Sequence, residues 1–175
     1  DAGDDSRVAV LRYKRTTSQD GYLGVLATDR EQGGARNSVA GADGQIRVGR
    51  SDMVSFCALG STTEGADGAA RADGHSVSAE YQHDSSTLGL ALAAQDVSAQ
   101  FRADAGYVTR VGIGQVVFQA IPKLYPRSSR FRRLDPSFAT VQGRDHDSEL
   151  SERSYALGLR AILAGNSTLG VTFDD

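Results

Sequence analysis

Asp43, Gln45 and Arg47 occupy every second position of one stretch, and Glu80 and Gln82 do the same in another. A carboxylate, an amide and a guanidinium supply hydrogen-bond donors and acceptors suited to a polar solute such as a sugar. The spacing matters as much as the types. Only a β-strand places residues i, i+2 and i+4 on one face, so these side chains are expected to line a single polar surface. The same residues also serve simply to solvate a barrel interior, or to pair with one another.

Other constellations are weaker. Asp145-His146-Asp147, with Glu149 and Glu152 nearby, contains metal-ligand types. Its spacing matches no divalent-metal motif, and it reads as solvated charge in a glycine-flanked loop. Glu64, Asp67 and Asp73 are too sparse for a calcium loop, which needs several oxygen ligands at tight spacing. Gly112-Ile113-Gly114 is an isolated GxG with no following helix, and no G-x-S-x-G elbow occurs. No pair of carboxylates supports a glycoside-cleaving site. The expectation is a protein that is not an enzyme, with no cofactor and no metal. Cys57 is the one cysteine, which rules out an internal disulfide and a multi-cysteine zinc site; a packed small residue is expected. His75 and His83 flank one strand and are expected near its ends. The bases Lys123, Arg127, Arg130, Arg132 and Arg133 could meet lipid phosphate, or form a solvated connection.

The elements that must position these residues are strands. From Asn37 to Ser61, Ala40, Ala42, Gly44, Ile46 and Val48 alternate with Gly41, Asp43, Gln45 and Arg47. A turn at Gly49-Arg50-Ser51-Asp52 then leads to a return strand with Val54, Phe56 and Ala58 on one face and Ser55 and Cys57 on the other. The same period of two runs through Arg7–Lys14, Tyr22–Thr28, His75–His83, Thr87–Ala94, Tyr107–Ile121, Ser137–Gln142, Arg153–Ala164 and Thr168–Phe173. The fold class is therefore all-β: an antiparallel up-and-down meander of about ten strands forming a β-barrel or part of one. Asp29–Arg36, Thr62–Gly74 and Gly143–Glu152 read as long loops, and GRSD, DSS and GNS as short turns, an alternation typical of outer-membrane barrels. Lys123–Arg133 breaks it, because a short turn is due there.

The composition of the 175 residues fits, with twenty glycines against three prolines. A net charge of −3, with acids and bases interspersed, excludes a dedicated nucleic-acid surface. No apolar run reaches the ~20 residues of a membrane helix, which leaves membrane β-strands open. Aromatic residues make up only 7% and tryptophan is absent, so interfacial girdles would fall to Tyr13, Tyr22, Tyr81, Tyr107, Tyr125 and Tyr155. A soluble β-barrel or sandwich also tolerates this composition.

YLGVLATDRE, NSVAGADGQIRV and FRADAGYVTR, in that order, resemble a family of bacterial outer-membrane proteins. In that family a module similar to family 9 carbohydrate-binding domains precedes a C-terminal β-barrel domain of unknown function. The matching positions are Gly24, Thr28 and Arg30; Val39, Gly41, Asp43 and Arg47; and Phe101, Gly106, Tyr107 and Arg110. The likeness covers Arg7 to Arg110, and the rest more loosely. It implies part of the barrel domain, with residues 1–175 a single β-barrel-type domain and a fragment of a longer chain. It also implies a bacterial outer-membrane location, with membrane lipid and a saccharide as partners. The candidate ligand-binding set is then Asp43, Gln45, Arg47, Glu80, Gln82 and Arg110. The competing expectation is a secreted, soluble β-module that binds a ligand or forms homo-oligomers through exposed strand edges.

Overall fold

The computed structural model describes residues 6–66, 70–106, 108, 110–148 and 151–175. Tyr107, Asp67 and Glu149, singled out above, lie outside them. Ten strands follow one another: β1 (Ser6–Ser18), β2 (Gly21–Gln32), β3 (Ala35–Val48), β4 (Asp52–Glu64), β5 (Ala72–Asp84), β6 (Leu88–Val97), β7 (Ile113–Pro122), β8 (Phe131–Asp145), β9 (Ser151–Leu163) and β10 (Thr168–Asp174). They form one antiparallel sheet in sequence order, β1 through β10, with no crossover. β1 and β10 are its edges and do not pair with each other. The architecture is an unclosed all-β meander, consistent with a barrel or part of one.

The turns are set by residues that tolerate a left-handed backbone. Gly33 and Gly34 have φ of 57° and 79°, the signature of a two-residue hairpin turn that matches strand twist. This corrects the long loop expected over Asp29–Arg36. Both strands continue into that stretch because its polar side chains pair across the hairpin: the Asp29 carboxylate accepts from Arg36 at 2.8 and 2.9 Å and from the Ser38 hydroxyl at 2.9 Å. Gly49 at φ 74° and Asn166 at φ 62° turn the β3–β4 and β9–β10 hairpins.

Residues directly opposite in the ladder share a face. Ala42 lies opposite Val25 and Ala58, Ala58 opposite Val77, Phe56 opposite Ala79, and Leu92 opposite Tyr81 and Phe118. Phe138 opposite Leu157 and Leu157 opposite Phe173 carry the same face to the far edge. This face is apolar across the whole sheet. Gly44 makes room on it for the Phe56 ring, because a Cβ there would lie 2.7 Å from the ring and 2.8 Å from Leu23. The opposite face carries Asp43, Cys57, Ser78, Gln95 and Gln115, joined pair by pair from β3 to β7.

Two strands differ from expectation. β8 is far longer than Ser137–Gln142, since Arg133, which read as the end of a charged connection, pairs with Asp135 within the sheet. Pro136 fits because β8 has only β9 as a ladder partner there: pairing with β7 ends at Ala120 and Phe138. β7 starts at Ile113, and the described residues between Ser98 and Gly112 form an arm instead. The arm folds back over the polar face, where Phe101 packs with Val39 and Val97; these are the buried apolar side chains among the described residues. Val39 is 4% and Phe101 6% exposed.

Gly74 lies beneath this arm, and a Cβ added there would sit 2.4 Å from the Phe101 backbone. Gly74→Ala must therefore displace the arm or the strand, at a cost of about 1–3 kcal/mol by the usual penalty for overpacking. Gly165→Ala, where an added Cβ meets nothing within 4 Å, is the matched control and leaves stability unchanged. Urea unfolding midpoints of the two variants under identical conditions measure the difference.

Candidate functional site

The polar face is where most of the sequence-derived candidate side chains gather. Gly24 of β2 lies between Lys14 of β1 and Asp43 of β3 in register. Because it has no side chain, Arg12 reaches across β2 and forms a two-pronged ion pair with Asp43, one limb at 2.8 Å. A Cβ at residue 24 would lie 2.8 Å from the guanidinium and 2.9 Å from the carboxylate. Bidentate charge-assisted pairs are the strong class of hydrogen bond and fix both partners in orientation. Beside them the Lys14 ammonium sits 3.5 Å from the centroid of the Tyr22 ring, a cation–π contact.

Inward from this corner the side chains become smaller and mostly uncharged, with Glu80 the exception. Arg12, Tyr22, Asp43, Cys57, Glu80 and Gln95 border a cleft of ≈ 500 Å³. Ser55 and Ser78 lie on its floor, and Gln95 donates to Gln115 across β6 and β7 at 3.2 Å. Hydroxyls and amides offer donors and acceptors without a fixed charge, the chemistry that neutral polyols exchange with water.

A second ionic cluster stands on the same face across β8 and β9. Asp135, 2% exposed, lies opposite Arg160 and accepts from it at 2.7 and 3.0 Å. Arg133 adds a hydrogen bond at 2.8 Å to one carboxylate oxygen, while its Nε lies 2.7 Å from the other as an ion pair outside hydrogen-bond geometry. A buried carboxylate is tolerable only when so paired.

Of the sequence-derived candidates, Asp43, Gln45, Arg47, Glu80 and Gln82 all lie on this face. Gln45 and Glu80 flank Ser55 on either side of β4, and Arg47 and Gln82 flank Met53. The two groups are thus two strands apart, roughly 10 Å at ~4.8 Å per strand. Each has an internal partner. Arg47 pairs with Asp20 at 2.6 Å, Gln45 donates to the Asp20 carbonyl at 2.9 Å, and Gln82 donates to Glu80 at 2.6 Å. Arg110 is not brought to them. It lies in the arm and meets Glu152 at 3.2 Å and Asp145 at 3.5 Å, and its hydrogen bond to Glu152 raises its pKa further above the usual guanidinium value.

Arg12, Tyr22, Ser55, Ser78, Gln95, Gln115, Asp135 and Arg160 were missed from sequence. Their signal was available only through register, which places them on the same face of the sheet as Asp43. Asp145-His146-Asp147 is occupied within its own turn: the Asp145 carboxylate accepts the amides of Asp147 and Ser148 at 3.0 and 2.8 Å, and His146 reaches Asp96 at 3.0 Å.

Removing the Asp135 carboxylate leaves Arg133 and Arg160 facing each other with no counter-charge. Asp135→Ala is expected to lose roughly 3 kcal/mol, the scale for deleting one member of a buried ion pair. Asp73→Ala, which removes an exposed pair with Arg71, is expected to leave the unfolding midpoint unchanged within error. Denaturant titration followed by circular dichroism distinguishes them. No protein-family model, no curated protein and no solved structure matches the chain, so function is read from the two faces themselves.

Proposed function

We propose that the chain forms wall of an outer-membrane-type β-barrel, its apolar face toward lipid and its polar face toward a lumen that passes or captures a polar solute such as a saccharide. One observation carries this reading. The accessible surface is 11831 Å². A folded soluble monomer of 18.5 kDa exposes about 8,200 Å² by the size scaling. The excess of about 3,600 Å² includes large apolar side chains on one face, among them Leu11, Val25, Val77, Leu92, Leu157 and Phe173. Apolar area of that extent marks a surface that something apolar covers.

The dimensions support lipid as the cover. On β6 the apolar positions run from Leu88 to Ala94 before Asp96, and on β3 from Ala40 to Val48. At ~3.4 Å per residue these are roughly 20 and 27 Å, against an apolar band of ~25 Å in outer-membrane barrels. Charged groups bound the band, with Asp29, Arg36 and Asp96 at one end and Asp52 and His83 at the other. The cleft, lined mostly by hydroxyl, amide and small side chains and with Arg12 and Asp43 neutralising each other in its wall, offers the hydrogen bonds that a polar solute such as a saccharide exchanges with water.

The second reading is a secreted module that assembles with itself. The exposed outer edges favour it, since every residue of β1 and of β10 is exposed and an unpaired strand is a template for another.

Cysteine accessibility separates them. Cys57 lies on the polar face, half-buried. In lipid vesicles a charged, water-soluble thiol reagent is expected to label Cys57. It is expected to spare Leu157→Cys in a Cys57→Ser background, although Leu157 is 59% exposed. Equal labelling of both positions, with the protein recovered in the aqueous fraction, would establish the secreted module instead.

A further inference from the structure

The connection between β6 and β7 crosses the sheet rather than turning at its rim. Its contacts appear strand by strand. The Ser98 amide donates to the His75 carbonyl of β5 at 2.9 Å, and the Arg102 amide donates to the Ser61 hydroxyl of β4 at 3.2 Å. Asn37 of β3, 2% exposed, uses both ends of its amide: Nδ2 donates to the Arg102 carbonyl at 3.0 Å, and Oδ1 accepts the Asp104 amide at 2.9 Å. Arg30 of β2 donates to the Asp104 carbonyl at 2.7 Å. From β6 to β2 is four inter-strand steps, roughly 19 Å. Arg30, Asn37, Ser61 and Gly74 all lie on the polar face, Arg30 opposite Asn37 and Ser61 opposite Gly74.

We propose that residues 98–106 form a fixed constriction that sets the size limit for solutes at this mouth of the polar face. The proposal rests on the reading of that face as a lumen wall. The arm is held by side chains and backbone of four strands and by the packing of Phe101 against Val39 and Val97, with Gly74 leaving it room. A swinging lid lacks such anchorage, because opening it would take from the buried Asn37 amide its bonds to Arg102 and Asp104 and leave it only Thr63. The charges at this mouth cancel. Arg30, Arg102 and Arg110 stand with Asp104, Asp145 and Glu152, and Arg102–Asp104 and Arg110–Glu152 are direct ion pairs. A mouth without net charge discriminates by dimension more than by sign.

The test is permeation of mono-, di-, tri- and tetrasaccharides into vesicles carrying the full chain, compared with Asn37→Ala. Releasing the arm is expected to raise trisaccharide entry at least tenfold and to change monosaccharide entry less than twofold. A modification made after folding removes dependence on that variant. Arg102→Cys in a Cys57→Ser background, labelled in the vesicles with a bulky thiol reagent, is expected to slow monosaccharide entry several-fold. Permeation with the same size limit in Asn37→Ala, or monosaccharide entry untouched by the label at residue 102, overturns the constriction alone. Absence of permeation by the unmodified, folded protein overturns the lumen reading, and the constriction with it.

Discussion

In a single-layer sheet each strand side chain is committed to one of two faces, and the ladder register decides which. A slip of one residue in one hairpin would move Asp43 or Arg47 among the aliphatic side chains and expose Ala42 and Ile46 to the polar side. Register is therefore the constraint on which everything else depends. The turns hold it locally, through glycines at Gly33-Gly34 and Gly49 that adopt the backbone the strand twist requires. Paired size differences hold it laterally: Phe56 over Gly44 on the apolar face, and Arg12–Asp43 over Gly24 on the polar face. Each of these fits at one register only, because a side chain at either glycine would collide with the partner.

The same constraint explains why the usual hydrophobic core is nearly absent. A sheet with no second layer has nothing of its own to cover its apolar face, so burial there depends on the surroundings. Within the chain, cohesion comes from the backbone ladders and from ion pairs that bridge strands. Asp135 shows how charge is placed inside such a sheet. Its carboxylate is covered by Arg133 and Arg160, whose own side chains keep contact with the open polar side, so the desolvated group has its counter-charges at hydrogen-bond distance.

Strand identity and face were legible in the sequence wherever alternation was undisturbed, as from Ala40 to Val48 and from Ser76 to Gln82. Legibility failed where polar residues sat inside a strand with partners the sequence does not display. Asp29 and Arg36 read as loop because their mutual bond depends on a two-residue turn; Arg133 read as connection because its carboxylate, Asp135, is held in the sheet by Arg160 on the next strand. For the site, types and spacing indicated the correct face but only part of its membership. Arg12 belongs to the face through Asp43, two strands away, and Gln115 through Gln95 on the neighbouring strand, and no local window carries that. The arm was the least legible element: Val108, Val111 and Gly112 resemble strand in composition, and their place outside the sheet follows from what Phe101 and Asn37 do to the preceding stretch.

The position of the one buried apolar cluster follows from hydrogen bonding rather than from hydrophobicity. An arm laid over the apolar face would find no partner for its backbone amides and carbonyls, each of which costs about 1–3 kcal/mol when buried unpaired. Over the polar face it meets Ser61, Asn37 and Arg30, which satisfy the backbone of Arg102 and Asp104. Only with those groups satisfied can Phe101 be pressed against Val39 and Val97. The polar side chains thus make the apolar contact affordable, and the glycine at residue 74 makes it sterically attainable. Structure at this mouth is consequently most sensitive to residues that read as ordinary strand polarity, Asn37 above all, whose single side chain binds the arm at both Arg102 and Asp104.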